Sequence, residues 1–392
     1  MGTTMANYIL SDANRFYVAT ESVYGVPATV SNANRFPAFG FDCHQSTAVS
    51  KRRDKTGART YRGTASTATR QSEFQVSGHL TSWDGSTQPS YGPLVQAAMG
   101  AFPELVQGLV VSVAGGSQLQ TKSAHGLMTG SAISNGSEVR FVTNVQDSLT
   151  VNLNTPFSVA PGGGATLATT VGYRLASHLP SVTLYDYWDP QSAMSRIVTG
   201  AGVDKFQIDV RGDVHELLFA GPAADVLDSA SGVFGRSRIT VFPPEPALSP
   251  FQYSIVDGQL GHVWLGSPLN QVFTLTAASV EVNNHLLIRD REFGSSYSAM
   301  IVPGPREVLS SFTLFAQSDS ATEALYIAAK AKMPISALLQ LGQQQSQMMA
   351  VYLPSVVPEM PLFNDAEPYL LWQFKNSLGQ GESNDEAFIA FA

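Results

Sequence analysis

The sequence predicts a mainly β protein with two tandem units, each a β-sandwich or β-barrel with one packed helix, plus a small all-β insertion. Three observations lead to this prediction. Helical periodicity is clear in residues 321–333 and weak elsewhere. A strand-turn-helix segment occurs twice, and short alternating runs with Gly-rich turns separate the first helix from its next strand. With so few helices, each helix must pack on a sheet.

The clearest helix is predicted over residues 321–333. Ser320 and Glu323 match an S-x-x-E capping box at its start, and Pro334 prevents its continuation. Small and apolar residues recur at steps of three and four, namely Ala321, Ala324, Leu325, Ala328 and Ala331. A strand-like run, 308–315, precedes this helix, and a second apolar run, 335–353, follows it. The segment therefore predicts strand, helix and strand in that order.

The same arrangement occurs earlier in the chain. The alternating run 72–80 is followed by a turn and by residues 93–100, which have Pro near the start and Gly at the end, as helices prefer. We interpret the two segments as a duplicated unit; two generic segments that match by chance are the alternative. The predicted helix-sheet core relates Leu94, Ala97 and Ala98 to Leu325, Ala328 and Ala329 by an offset of 231, and Phe74 and Val76 to Phe312 and Leu314 by an offset of 238.

These segments predict a domain organisation for the whole chain. A cluster of prolines, Pro243, Pro244 and Pro246, indicates a stiff linker between the two units. The predicted parts are an N-terminal arm (1–35), the first unit (36–107 and 173–235), the inserted β domain (108–172), the linker (236–271) and the second unit (272–392).

The composition indicates a surface that is largely covered by other protein. Charged residues make up only 14% of the chain, against roughly a quarter in average soluble domains. No apolar run approaches the ~20 residues of a membrane-spanning helix, and no basic region followed by an apolar core opens the sequence. We therefore expect contacts with other subunits and none with a membrane. The single cysteine, Cys43, excludes an internal disulfide and fits a reducing compartment.

A basic segment interrupts an acidic background. The net charge is −8: residues 1–235 contribute −2, with 15 basic and 17 acidic side chains, and residues 236–392 contribute −6, with 8 and 14. Residues 51–62 precede a Ser/Thr/Ala tract and are expected to form a long loop that contacts an acidic surface of an adjacent subunit or ring. A solvated loop is the alternative; nucleic-acid binding is weakly supported because no aromatic platform accompanies the charges. The basic residues are Lys51, Arg52, Arg53, Lys55, Arg59 and Arg62.

Motifs for catalysis or ligand binding are absent from the sequence. No H-E-x-x-H, G-x-S-x-G, Walker, G-x-G-x-x-G or paired-cysteine zinc pattern occurs. The histidines are scattered, and the carboxylate pairs Asp186/Asp189 and Asp385/Glu386 are typical of turns. We therefore expect no enzyme activity, no cofactor and no metal site. A surface hydrolase is a competing class, which needs a pocket that the sequence does not identify.

The combined pattern resembles the tail tube, or major tail, proteins of long-tailed bacteriophages, in their fused and duplicated form. The resemblance covers the chain from about residue 36 onward. It rests on the two sheet-plus-helix units, the charged loop between early strands, the His-Gly-Leu-x-Thr-Gly turn at 125–130 and the C-terminal strand-like run 385–391. The large insertion departs from minimal members of that family and is expected to lie outside the tube.

This resemblance implies β units whose strands join around a ring, with rings stacked into the hollow tube through which DNA leaves the virion. Single-unit relatives form hexamers, so a duplicated chain is expected to form homotrimers with pseudo-sixfold symmetry. The implied partners are further copies of the chain, the tape measure protein and the terminator or baseplate proteins. Assembly is expected in the host bacterial cytoplasm, and DNA is expected to pass without specific binding. Another self-assembling phage component, of capsid or baseplate, is the alternative.

Overall fold

The fold is described by a computed structural model for residues 8–48, 55, 57–59, 63, 69–85, 87–189, 194–230, 239, 241–248, 250–290, 292–293, 295, 297–366 and 368–392. Within these residues lie 27 β-strands, two α-helices and a 3₁₀ helix at Asn32–Asn34. The predicted mainly β fold class is therefore confirmed. Alternating burial underlies it: along Glu307–Phe315, every second side chain starting at Val308 is buried, as a strand with one covered face requires.

The elements are labelled in chain order. The first half begins with β1 (Asn14–Thr20), β2 (Arg35–Phe36), β3 (Gly40–Ala48), β4 (Thr69–His79) and α1 (Gly92–Met99). The inserted region contains β5 (Glu104–Val106), β6 (Val111–Gly115), β7 (Gln118–Thr121), β8 (Ala132–Asn135), β9 (Glu138–Val145), β10 (Thr150–Leu153) and β11 (Thr170–Arg174). The first half then resumes with β12 (Val182–Trp188), β13 (Met194–Ala201), β14 (Lys205–Val210), β15 (Glu216–Ala223) and β16 (Asp225–Asp228).

The second half begins with β17 (Gly261–Gly266), β18 (Asn270–Gln271), β19 (Leu275–Asn283), β20 (Leu287–Arg289), β21 (Met300–Val302), β22 (Glu307–Phe315) and α2 (Ser320–Ala331). It ends with β23 (Ile335–Leu341), β24 (Met349–Val357), β25 (Leu362–Asn364), β26 (Leu371–Gly379) and β27 (Phe388–Phe391).

The two halves have the same strand order. The first half pairs its strands as β3-β4-β15-β14 and as β2-β1-β12-β13-β16. The second half pairs them as β19-β22-β26-β25 and as β18-β17-β23-β24-β27, with each strand at the corresponding point of the chain. Helix α1 follows β4, and α2 follows β22, so both helices also correspond. Each half thus has two strand groups and one helix; in the second half the two groups are joined, because Val356 and Val357 of β24 pair with β26.

Strand pairing joins the two halves. β14 of the first half pairs antiparallel with β19 of the second, from Lys205 opposite Asn283 to Val210 opposite Ala278. The pairing produces one eight-stranded sheet in the order β25-β26-β22-β19-β14-β15-β4-β3, which we call the central sheet. A slip of one residue at this junction would turn buried side chains to the other face, so its register is well determined.

Both helices belong to the core behind the central sheet. Every residue of α1 is buried, including Gln96, and α1 contacts strands β1, β12 and β14. Helix α2 buries one side and exposes Ile327 on the other. The ten residues of the predicted helix-sheet core are all buried in one hydrophobic cluster: Phe74, Val76, Leu94, Ala97, Ala98, Phe312, Leu314, Leu325, Ala328 and Ala329.

Two predicted boundaries are wrong. Residues 14–20, expected in an arm, form β1, which pairs with β12 along its whole length and buries Phe16, Tyr17 and Val18. Residues 261–271, expected in the linker, contain β17 and β18, and β17 pairs with β23. Neither segment alternates regularly between apolar and polar residues, and the strands that pair with them are distant in sequence, so their burial was not predicted from local pattern.

The start of α2 also differs from the predicted capping box. The carboxylate of Asp319 accepts hydrogen bonds from the Thr322 backbone N–H at 3.0 Å and from the Thr322 hydroxyl at 2.7 Å. The helix therefore begins one residue earlier than predicted, at Ser320, with Asp319 as its cap. It ends at Ala331, and Lys332 adopts a positive φ of 51° before Pro334.

The insertion is a five-stranded sheet, β6-β7-β10-β9-β8, with its own core around Leu119, Val142 and Val151. Although it interrupts the first half, it packs on the second. Phe141 stacks on Tyr352 with ring centroids 5.5 Å apart and lies 6.4 Å from Phe388. β11 pairs with β27 and with β5, which extends the second sheet of the second half. The insertion, which is part of the first half in sequence, therefore connects the two halves by packing on the second.

Polar contacts support this attachment. The side-chain carbonyl of Gln340 accepts from the Val139 backbone N–H at 2.9 Å, and its amide donates to the Ser137 carbonyl at 2.7 Å. The guanidinium of Arg140, fully buried, pairs with Glu138 at 2.7 Å and lies 4.5 Å from the ring centroid of Trp264 in the second half. The two Gln340 hydrogen bonds cross between the insertion and the second half, so they fix the orientation of the insertion on that half.

Candidate assembly surfaces

The central sheet ends in two unpaired edges. Among the residues that the structure describes, no strand pairs with the outer edge of β3 or with the outer edge of β25. Each edge therefore presents backbone N–H and C=O groups that another strand can bind. The two edges belong to different halves, so they differ in sequence and offer a head-to-tail contact between copies.

The first edge, β3, is polar, and hydrogen bonds to neighbouring residues hold it in place. Its side chains alternate, with Asp42, His44 and Ser46 exposed and Phe41 buried. The amide of Gln45 donates to Asp225 at 2.8 Å and to Ser72 at 3.0 Å. β3 pairs with β4 over nine residues, which holds it straight at the edge.

The second edge is apolar. Phe363 of β25 stacks on Trp372 of β26 with centroids 5.9 Å apart, and Tyr326 of α2 lies 5.3 Å from Trp372. Leu362 is 56% exposed and Phe363 is 60% exposed. We call this set the aromatic edge: Tyr326, Leu362, Phe363 and Trp372. An exposed cluster of this kind marks an interaction surface more often than an isolated exposed side chain does.

The uncovered face of the central sheet is acidic. In β3, β4, β14, β15, β19 and β22, Lys205 is the one basic residue on this face among the residues described, and its ammonium pairs with Glu281 at 2.8 Å; β26 adds the exposed Lys375. Arg211, beyond the end of β14, lies 3.2 Å from Glu216. The acidic side chains on the face are Asp42, Glu73, Asp209, Glu216, Glu281 and Glu307. Such a face repels polyanions.

A segment of the second half crosses onto the first. The hairpin β20-β21 and its flanks, between β19 and β22, contact several first-half residues. The Tyr24 and Ser298 hydroxyls lie 2.8 Å apart, and the Arg70 guanidinium is 5.1 Å from the ring centroid of Tyr297. The Gln71 amide donates to Asp290 at 3.3 Å. In chain order, this segment lies between β19 and β22, as residues 49–68 lie between β3 and β4.

The predicted basic loop is only partly described. Lys55 and Arg59 are exposed. Lys51, Arg52, Arg53 and Arg62 lie outside the described residues, so their contact with a neighbouring subunit stays a prediction.

One concavity, of about 1170 Å³, lies over the uncovered face beside the hairpin. Cys43 and His44 both line it, but neighbours in a strand point to opposite faces, so they cannot act as a nucleophile and its base. Burial also raises the pKa of the Cys43 thiol, which disfavours the reactive thiolate. Asp42 and Glu73 line the same concavity as exposed surface carboxylates.

The polar residues singled out in the sequence have structural roles. His125 Nδ1 accepts a hydrogen bond from the Leu127 backbone N–H at 2.8 Å, and its Nε2 lies 3.0 Å from the Asp147 carbonyl, so this ring closes a turn. The buried carboxylate of Asp186 pairs with Arg196 at 2.7 Å. Over the described part of the chain, no three His, Cys, Asp or Glu side chains are grouped to hold a metal ion. Neither described helix is long and apolar enough to cross a membrane.

No family model matches the chain, and no curated protein matches it.

Proposed function

We propose that this protein is the tail tube subunit of a long-tailed bacteriophage. Three chains form a ring of six like-ordered units, and rings stack into a hollow tube that conducts DNA into the bacterial host. The observation that carries the proposal is the β14-β19 junction, because it joins two units edge to edge within one chain and leaves one edge free at each end. A head-to-tail contact of this type either closes a ring or grows without limit.

The charge of the central sheet supports a conduit in which DNA does not stick. Protein binds DNA phosphates chiefly by neutralising them with Lys and Arg. The uncovered face carries six acidic residues against two lysines, Lys205 and Lys375, and Lys205 is already paired with Glu281. With this face turned to the lumen, passing DNA is repelled, while closure of the sheet removes the edges that invite uncontrolled aggregation.

The proposed role includes specific partner proteins and a location in the virion, and it is not catalytic. The tube is built around a tape measure protein, ends on terminator and baseplate proteins, is assembled in the host cytoplasm and functions in the virion. The role is structural, with no enzyme activity and no cofactor.

Negative-stain microscopy of the purified protein, combined with mass measurement in solution, tests the proposal. The expected result is a homotrimer and rings with a central hole that stack into tubes. A protein that stays monomeric at high concentration and forms no rings at any salt concentration contradicts it. Closed shells or isolated hubs would favour a capsid or baseplate component.

A further inference from the structure

The aromatic edge contains the same strand-to-strand pair as the junction inside the chain. The offset of 238 makes Val76 of β4 equivalent to Leu314 of β22. Phe219 lies opposite Val76, and Trp372 lies opposite Leu314, so Phe219 and Trp372 are equivalent. One strand further out, Phe206 lies opposite Phe219.

Phe363 takes the corresponding place, because it lies opposite Trp372. The two pairs also share their geometry: Phe206 stacks on Phe219 at 4.6 Å and 5°, and Phe363 stacks on Trp372 at 5.9 Å and 19°. Their surroundings differ. Phe206 is 1% exposed because β19 pairs with its strand, whereas the strand of Phe363 has no further neighbour among the described residues.

The strand that corresponds to β19 is β3. The residues opposite the equivalent phenylalanines of β4 and β22 are Cys43 and Ala278, which relates β3 to β19 by an offset of 235. Both strands have nine residues, and both precede a long connection to the next strand of the central sheet. By this offset Thr47 is equivalent to Val282, and Ser46 to Glu281.

We infer that β3 of a second copy pairs antiparallel with β25, in the register that β19 adopts against β14. The occupant is a second copy, because the chain contains one such junction and leaves the strands equivalent to β19 and β14, namely β3 and β25, each with an unpaired side at opposite edges of the described central sheet. In this respect the inference rests on the proposed self-assembly. The contact covers Phe363 as β19 covers Phe206. The expected pairs are Phe363 with Thr47 and Asn364 with Ser46 of the second copy, as Phe206 pairs with Val282 and Gln207 with Glu281.

Disulfide cross-linking tests the register. In a Cys43→Ser background, the double variant Ser46→Cys/Asn364→Cys is oxidised with oxidised glutathione and run on a non-reducing gel. Both positions lie on the uncovered face, so neither substitution disturbs the core. The expected result is a shift of the band from monomer to covalent trimer. The register control is His44→Cys/Asn364→Cys, in which the pair is displaced by two residues; it stays monomeric, because a disulfide cannot span that displacement.

An internal control calibrates the geometry. Gln207→Cys/Glu281→Cys places the same pair at the junction within the chain, so it forms a disulfide without any rise in mass, detected by loss of free thiols. The expected result is equal thiol loss in this variant and in Ser46→Cys/Asn364→Cys. If the internal pair also resists oxidation by glutathione, copper phenanthroline replaces it for all three variants, because this stronger oxidant still forms only the direct S–S bond and so keeps the register control valid.

The outcomes separate the inference from the proposed function. Rings by microscopy with cross-linking only in the His44→Cys variant, or in neither edge variant, overturn the proposed register and leave the tube proposal standing. A monomer in solution with no cross-link at either edge overturns both. Trimer cross-links confined to Ser46→Cys/Asn364→Cys support both.

Discussion

Two equivalent phenylalanines should respond differently to the same substitution. Phe206 is buried at the junction within the chain, and Phe363 is exposed at the free edge. We expect Phe206→Ala to destabilise the isolated chain and Phe363→Ala to weaken assembly while the chain stays folded. The comparison is informative because the residue type and the strand position are matched, and each ring stacks on an aromatic residue of the next strand.

The magnitudes follow from burial. Truncating a fully buried phenylalanine costs roughly 3–5 kcal/mol, so Phe206→Ala should lower the free energy of unfolding by about that much. With Phe363 60% exposed, the covered remainder is about 80 Å² of a ~200 Å² side chain, which is worth at most ~2 kcal/mol at ~25 cal/mol per Å². A docked copy would cover the other ~120 Å², so each interface should weaken by about 3 kcal/mol, or roughly a hundredfold in Kd.

Two assays separate these effects. Urea unfolding followed by circular dichroism, at a concentration where the protein is dissociated, measures the stability of the chain. Light scattering against concentration measures assembly. The control is Phe102→Ala, since Phe102 is 83% exposed and lies outside both edge strands. The reasoning is refuted if Phe363→Ala lowers the free energy of unfolding as much as Phe206→Ala does. It is also refuted if Phe363→Ala and the Phe102→Ala control assemble at the same concentration.

Three further predictions concern other parts of the molecule. Ala98→Leu and Ala329→Leu should each overpack a helix-sheet contact by roughly 1–3 kcal/mol and impair ring formation alike; an unchanged melting temperature would contradict this. Burial lowers the pKa of His215 to about 4, and neither ring nitrogen has a hydrogen-bond partner among the described residues. The unfolded state therefore binds the proton more tightly, and stability should fall as pH drops from about 6.5 toward 4, by up to roughly 3 kcal/mol; His215→Leu should flatten that slope in urea titrations at several pH values. Charge reversal in the basic loop should abolish tube growth without unfolding, whereas unchanged polymerisation would remove the loop from assembly; the substitutions are Arg52, Arg53, Lys55 and Arg59 to Glu.

Local periodicity was sufficient for much of the architecture. The three- and four-residue spacing around Leu325 identified α2, and the Phe74 and Phe312 offset identified a repeat whose ten core residues are all buried. Such patterns report which face of an element is covered, because burial repeats with the period of the element. The alternating runs of the insertion likewise marked it as a small β structure. The sequence by itself therefore determined the class of fold, its two helices and its insertion.

Only the tertiary structure decided which strands meet. β1 and β17 lack the regular apolar–polar alternation that marks a half-buried strand, and their place in the sheets follows from pairing with β12 and β23. The insertion packs on the second half through Phe141, although it interrupts the first.

The candidate assembly site was hidden for the same reason. Phe363 and Phe206 carry no shared local motif, and their equivalence follows only from strand registers across several hydrogen-bonded pairs. A sequence pattern predicts that a side chain is covered, but which strand covers it depends on pairing between segments far apart in the chain. For this protein, sequence periodicity determined the strands and helices. Long-range strand pairing determined the β14-β19 junction and the two free edges of the central sheet, β3 and β25.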